Sequence, residues 1–70
     1  TYLEYALLAF LVTHSGHVYS RDALLSRVWG FDYFGGSRTV DVHVRRVRSK
    51  LGNDLAAHLR TVRGVGYMWE

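Results

Sequence analysis

The sequence predicts a small α+β fold, three helices followed by a C-terminal β-hairpin. Three observations carry it. Residues 37–52, SRTVDVHVRRVRSKLG, set Val40, Val44, Val47 and Leu51 at i, i+4, i+7 and i+11, which is one narrow stripe at about 100° per residue. Two earlier segments, TYLEYALLAFLV and RDALLSRVWG, have helical length, a capping residue in front and glycine behind. The last segment, LRTVRGVGYMWE, alternates and carries Gly64 and Gly66 where a hairpin needs its turn.

Taken in order, Thr1 caps the first helix and Glu4 completes the spacing of a capping box. Tyr5, Leu8, Leu11 and Val12 are expected to line its buried face, with Leu7 beside them. The helix stops by Ser15–Gly16, because glycine tolerates the left-handed residue that ends helices. HVYS is long enough for a single edge strand only. Ser20 caps the second helix, Asp22 lies near its positive end, and Leu24, Leu25, Val28 and Trp29 form its apolar face up to Gly30. Residues 30–37, GFDYFGGS, connect to the third helix, which spans 37–51 and breaks at Gly52–Asn53. DLAAHL adds a short turn before the hairpin, whose tip lies near Arg63–Gly66. Helix, short strand, helix, loop, helix, hairpin is the order of a winged helix-turn-helix.

Seventy residues allow one domain, which buries only about 60% of its unfolded surface. With 49% apolar and 21% charged residues the chain is a folding one rather than a disordered one. It has no cysteine, so neither a disulfide framework nor a thiolate zinc site is available. No apolar run approaches the 18 or so residues that cross a bilayer, so no membrane role is expected. The charge is lopsided: residues 1–36 carry a net −1 and residues 37–70 a net +4. The positive excess in the second half points to a polyanion met there.

The wet side of the third helix offers Arg38, Thr39, Val42, Arg45, Arg46 and Ser49. Arginine pairs bidentately with guanine in the major groove of DNA, and an aliphatic side chain covers a thymine methyl. A surface with both phosphates and methyl groups explains why Val42 stands among arginines. The plainer alternative is a solvated face supported by Asp41–Arg45 at i, i+4, with Val42 exposed by chance. The flanking helix and hairpin favour DNA. Arg63 beside Gly64 suits a narrow minor groove, and Tyr67 and Trp69 share a strand face as core or platform residues. In the 30–37 loop, Phe31, Tyr33 and Phe34 either contact a protein or fold back over the core, and folding back is the commoner outcome in so small a domain. Four histidines (His14, His17, His43, His58) lack an accompanying carboxylate or thiol cluster, so no metal or cofactor is expected. Ser20, Asp22 and His17 form no credible triad, and VRGVG lacks the lysine and helix of a phosphate loop. No enzymatic activity is expected.

TYLEYALLAFLV with VYSRDALLSRVWG, then SRTVDVHVRRVRSKL, then RTVRGVGY, in this order and spacing, resemble the OmpR/PhoB-type winged-helix effector domain of two-component response regulators. The resemblance covers most of the chain. It implies that helix 37–51 is the recognition helix in the major groove, with Val42 and Arg46 facing bases and Arg38, Thr39, His43, Arg45 and Arg48 nearer phosphates. It implies a wing over 60–69 with Thr61 and Arg63 at the minor groove. Phe31, Asp32, Tyr33 and Phe34 then belong to a loop that touches RNA polymerase in activators. Family members bind double-stranded DNA at tandem direct repeats as homodimers, in the cytoplasm, after phosphorylation of a receiver domain. The family's domain begins with a four-stranded antiparallel sheet, whereas this sequence opens at the first helix. The resemblance therefore implies that residues 1–70 are an N-terminally truncated winged-helix DNA-binding domain. Two rivals stand beside this reading: a winged-helix module whose basic face meets an acidic protein, and a related activator without a receiver domain.

Overall fold

The computed structural model describes all 70 residues. Helix α1 is Tyr2–Thr13, β1 is Tyr19–Ser20, and α2 starts at Arg21–Leu24 and continues as a π-helical turn, Leu25–Trp29. Helix α3 is Arg38–Ala56, and the strands β2 (Leu59–Val62) and β3 (Gly66–Trp69) form the hairpin. The predicted element order holds throughout. The short HVYS strand is an edge strand: β3 lies at the centre of an antiparallel sheet of order β1-β3-β2, with Tyr19 opposite Tyr67 and Thr61 opposite Tyr67 on its other side.

The local chemistry follows the sequence at most element ends. Thr1 Oγ1 accepts from the Glu4 N–H at 3.3 Å, and Ser20 Oγ accepts from the Ala23 N–H at 3.0 Å. Each such cap stabilises its helix by about 1 kcal/mol. The π turn closes through the Gly30 N–H donating to Leu25 O at 2.9 Å, and Gly30 leaves it at φ 122°. In α3 the regular helix runs to Leu51, because Gly52 departs to φ 84°, ψ 168° and residues 53–56 make a separate short turn. The hairpin turn is closed by Val65 N–H to Val62 O at 2.9 Å, with Gly64 at φ 74°.

The core joins Leu7 and Leu11 of α1, Leu24 and Leu25 of α2, and Val40, Val44 and Val47 of α3 to Leu59 and Tyr67 of the hairpin. Burying a Val or Leu side chain of this kind is worth about 1.5–3 kcal/mol. The stripe expected of the third helix is thus the one that packs, with Leu51 partly buried at its end. The first helix differs from expectation. Its buried line is Glu4, Leu7 and Leu11, while Tyr5 is 70% and Val12 42% exposed. Leu8 stays partly buried as expected. The cause is that α1 is apolar nearly all round, so the partner it packs on rather than its own pattern selects the face.

Glu4 also departs from the capping box. Its carboxylate does not close back on its own helix; Oε1 accepts from Lys50 Nζ of α3 at 2.6 Å. Lys50, through hydrogen bond and charge, holds the Glu4 carboxyl below its usual value of 4.5. A carboxyl with a lowered folded value adds stability that is present above 4.5 and lost as pH falls through that lowered value. Urea midpoints measured from pH 6 down to about pH 3 should therefore fall more steeply for the native chain than for Lys50→Met. Equal slopes would remove the pair from the acid response.

Candidate nucleic-acid interface

Helix α3 sorts its side chains by angle around the buried stripe. One flank carries Asp41 and Arg48, seven residues apart on one line, and both turn to the hairpin. Asp41 Oδ1 accepts from Tyr67 Oη at 2.5 Å and pairs with Arg21 Nε at 2.9 Å. Arg48 donates through Nε (3.1 Å) and Nη2 (2.6 Å) to Leu59 O, and through Nη2 to Thr61 Oγ1 at 2.8 Å. Its guanidinium lies 5.8 Å from the centre of the Tyr67 ring. Burial first, and the Asp41 carboxylate second, push the Tyr67 phenol above its ordinary 10.0. The Asp41–Arg45 pair expected along the helix is not made, because Arg21 and Tyr67 occupy that carboxylate.

The opposite flank carries Thr39, His43 and Lys50. His43 Nδ1 bonds Thr39 O at 2.8 Å, and its ring meets the Trp29 ring edge-on at 5.0 Å. A carbonyl only accepts, so Nδ1 holds the proton, and the neutral ring has only the acceptor Nε2 left. Thr39 is half-buried, and its Oγ1 lies 3.5 Å from Tyr33 Oη.

Between these flanks the outer face of α3 presents Arg38, Val42, Arg45, Arg46 and Ser49, all exposed. Val42 is 43% exposed, so the valine does stand on the wet side. The ion pairs between side chains are Glu4–Lys50, Asp41–Arg21 and Glu70–Arg60. Arg38, Arg45, Arg46 on α3 and Arg63 on the hairpin turn have no acidic partner. Arg27 and Arg48 have none either, but Arg48 is bonded to Leu59 O and Thr61 Oγ1. Beside this face, the hairpin turn Thr61–Gly66 faces Ser20, Arg21, Asp22 and Ser37, at the starts of α2 and α3, across a groove of about 400 Å³.

The 30–37 loop divides. Tyr33 lies over Gly35 and near Trp29, at 6.4 Å between ring centres. Phe31 and Phe34 do not fold back: they are 83% and 95% exposed. Asp32 is exposed as well.

The structure thus brings Val42, Arg46, Arg38 and Arg45 onto one open face and places Thr61 and Arg63 beside it on the hairpin. Thr39, His43 and Arg48 are set back, each bound into the domain. Sequence reasoning missed the Arg21–Asp41–Tyr67 node and the anchoring of Arg48. The i, i+7 alignment of Asp41 and Arg48 places both beside the apolar stripe but does not identify the groups they meet.

The family described as "Transcriptional regulatory protein, C terminal" matches residues 1–69. The sensory transduction protein RegX3 of Mycolicibacterium smegmatis is 52% identical over 69 residues, covering 96% of this chain and 30% of that protein. The heme response regulator HssR of Staphylococcus saprophyticus is 48% identical over 65 residues, covering 91% of this chain and 29% of that protein. The chain therefore spans about 30% of the length of these curated relatives. Among solved structures, the DNA-binding domain of Bacillus subtilis CssR superposes with a TM-score of 0.85 at 43% identity, over 100% of this chain and 76% of that one. The Klebsiella pneumoniae RstA DNA-binding domain in complex with the RstA box has a TM-score of 0.81 at 38% identity, over 99% of this chain and 70% of that one. With its three helices, its hairpin and its match from end to end, this chain belongs to the C-terminal effector-domain family of transcriptional regulators, the OmpR/PhoB-type winged helices.

Proposed function

We propose that the chain is the sequence-reading part of a longer bacterial response regulator and binds double-stranded DNA. The observation that carries this reading is the set of exposed guanidinium groups without acids, Arg38, Arg45, Arg46 and Arg63, around a solvent-facing valine. In it, α3 enters the major groove, Arg46 and Val42 meet base edges, and Arg38 and Arg45 meet phosphates. Thr61 and Arg63 reach the adjoining backbone and minor groove. His43 joins a phosphate only as imidazolium, since its neutral ring offers an acceptor there. Thr39 supports His43 through its carbonyl.

The longer protein would bind tandem direct repeats as a homodimer in the cytoplasm, after phosphorylation of a receiver domain. Exposure of Phe31 and Phe34 supports a protein contact by the 31–34 loop, with RNA polymerase as its partner and Asp32 and Tyr33 at its edges. The reading includes no catalytic step and no cofactor. No helix of the chain is long and apolar enough to cross a membrane.

The test is selection of bound duplexes from a random pool, at two salt concentrations, followed by sequencing. A short enriched element is expected, with an affinity that falls as salt rises. Arg46→Ala should lower affinity for the matched site by about 1–3 kcal/mol and relax one base position. Val42→Ser should lose discrimination between thymine and uracil at one position while the melting temperature holds. Salt-sensitive binding with no enriched element would reduce the basic face to a phosphate contact and overturn the reading.

A further inference from the structure

Arg48 is unlike the other arginines of α3. It is half-buried, and three of its five N–H donors are spent inside the domain. Nε and Nη2 converge on Leu59 O, and Nη2 also reaches Thr61 Oγ1. The planar fork makes these bonds together, so the guanidinium cannot swing out to a ligand without giving up all three.

The consequence falls on Thr61. A guanidinium has no acceptor, so in this pair the Thr61 oxygen must accept. Its own hydroxyl hydrogen is then directed away from Arg48, and Thr61 makes no other side-chain hydrogen bond within the chain. Thr61 is exposed and lines the groove between the hairpin turn and the helix starts. A cation bonded to one side of a hydroxyl polarises it and strengthens it as a donor on the other. We propose, resting on the DNA-binding reading above, that Arg48 is a positioning residue: it acts through Thr61, whose hydroxyl donates to a phosphate oxygen of the strand that passes between recognition helix and wing. Arg48 neutralises no phosphate itself, contrary to the role the family resemblance implies for it.

The test measures the affinity of the full chain for its selected duplex as a function of salt, for Arg48→Met, Thr61→Val, the double variant and Thr61→Ser. Arg48→Met and Thr61→Val should each weaken binding about tenfold on every duplex alike. The double variant should be no weaker than either single one within about twofold. Thr61→Ser, which keeps the hydroxyl, should bind like the native chain. The slope of log affinity against log salt should be unchanged by Arg48→Met, whereas loss of a phosphate contact would lower it by about 0.9. Arg48→Lys keeps the charge and the fold but not the fork, and should show the same loss as Arg48→Met. Overturning results are losses that multiply in the double variant, a reduced salt slope, near-native binding by Arg48→Lys, or a loss in Thr61→Val confined to one base position. Native chain that enriches no duplex would instead refute the DNA-binding reading itself. Melting temperatures of all variants separate these effects from unfolding.

Discussion

Gly66→Ala should remove a large part of the domain's stability and lower its melting temperature by more than about 10 °C. A Cβ at this position would stand 1.9 Å from Tyr19 O, 2.7 Å from Tyr19 C and 2.8 Å from Ser20 Cα. All three are backbone atoms, so no side chain can swing aside; β1 and β3 must part. Parting them breaks the Tyr19–Tyr67 and Ser20–Gly66 pairing. It also strains the bonds that Gly16 N–H (2.8 Å) and Ser15 Oγ (3.2 Å) make to Trp69 O. Forced overpacking costs about 1–3 kcal/mol and each lost hydrogen bond about 1 kcal/mol. The sum exceeds about 3 kcal/mol, in a domain of this size whose whole stability is roughly 4–10 kcal/mol. Far-UV circular dichroism during a thermal ramp reads the result directly. Gly64→Ala is the comparison: a Cβ there meets nothing within 4 Å, and only its φ of 74° resists, so about 1 kcal/mol is expected. A Gly66→Ala melt within a few degrees of native would disprove the close approach.

Leu24→Ala has the second large effect. Leu24 is wholly buried in α2 among the core side chains contributed by α1, α3 and the hairpin. Truncation removes its transfer energy and leaves a cavity, together about 2–5 kcal/mol. For a domain of this length each kcal/mol lowers Tm by about 4–8 °C, so a drop of roughly 10–30 °C is expected. Val42→Ala, on an exposed position of α3, should stay within about 0.5 kcal/mol. The pair of variants separates packing from reading: the first loses the fold and DNA binding together, the second leaves the fold and touches binding alone. If Leu24→Ala melted like the native chain, the core would have to close over the gap without cost.

The two helices that differ most in legibility differ in composition. Helix α3 interrupts its arginines with Val40, Val44 and Val47 at helical spacing, and those residues are the ones that pack. Helix α1 has apolar side chains on every side, so its pattern holds no choice, and Glu4 in the buried line was unreadable until Lys50 was known to lie across from it. Element ends were readable because capping is local: Thr1, Ser20 and Gly52 act within a few residues of themselves. Partners far apart in sequence were not. Asp41 had Arg45 one turn away, yet Arg21, twenty positions back, and Tyr67, twenty-six on, took its oxygen. Proximity along a helix lost to a meeting of three elements. In the candidate interface, exposure of Val42 and Arg46 followed from helix phase alone. The attachment of Arg48 to Leu59 O depended on where the hairpin folded back, which no spacing encodes.

The sheet order β1-β3-β2 also sets a timetable. The strand at the centre is the last of the three to be made, and β1 must wait for a partner whose first residue follows Ser20 by roughly 46 positions. At about 5–20 residues per second that is a delay of some 2–9 s on the ribosome. Helices α2 and α3 are made within that interval, α3 ending about ten residues before Gly66, and until Gly66 follows, Leu59 and its neighbours have no strand to pair with. A chain that stops short of Gly66 carries nearly all of the basic face and none of the finished sheet. Within these 70 residues the sheet is thus the last part to close, and a product broken off before Gly66 lacks it.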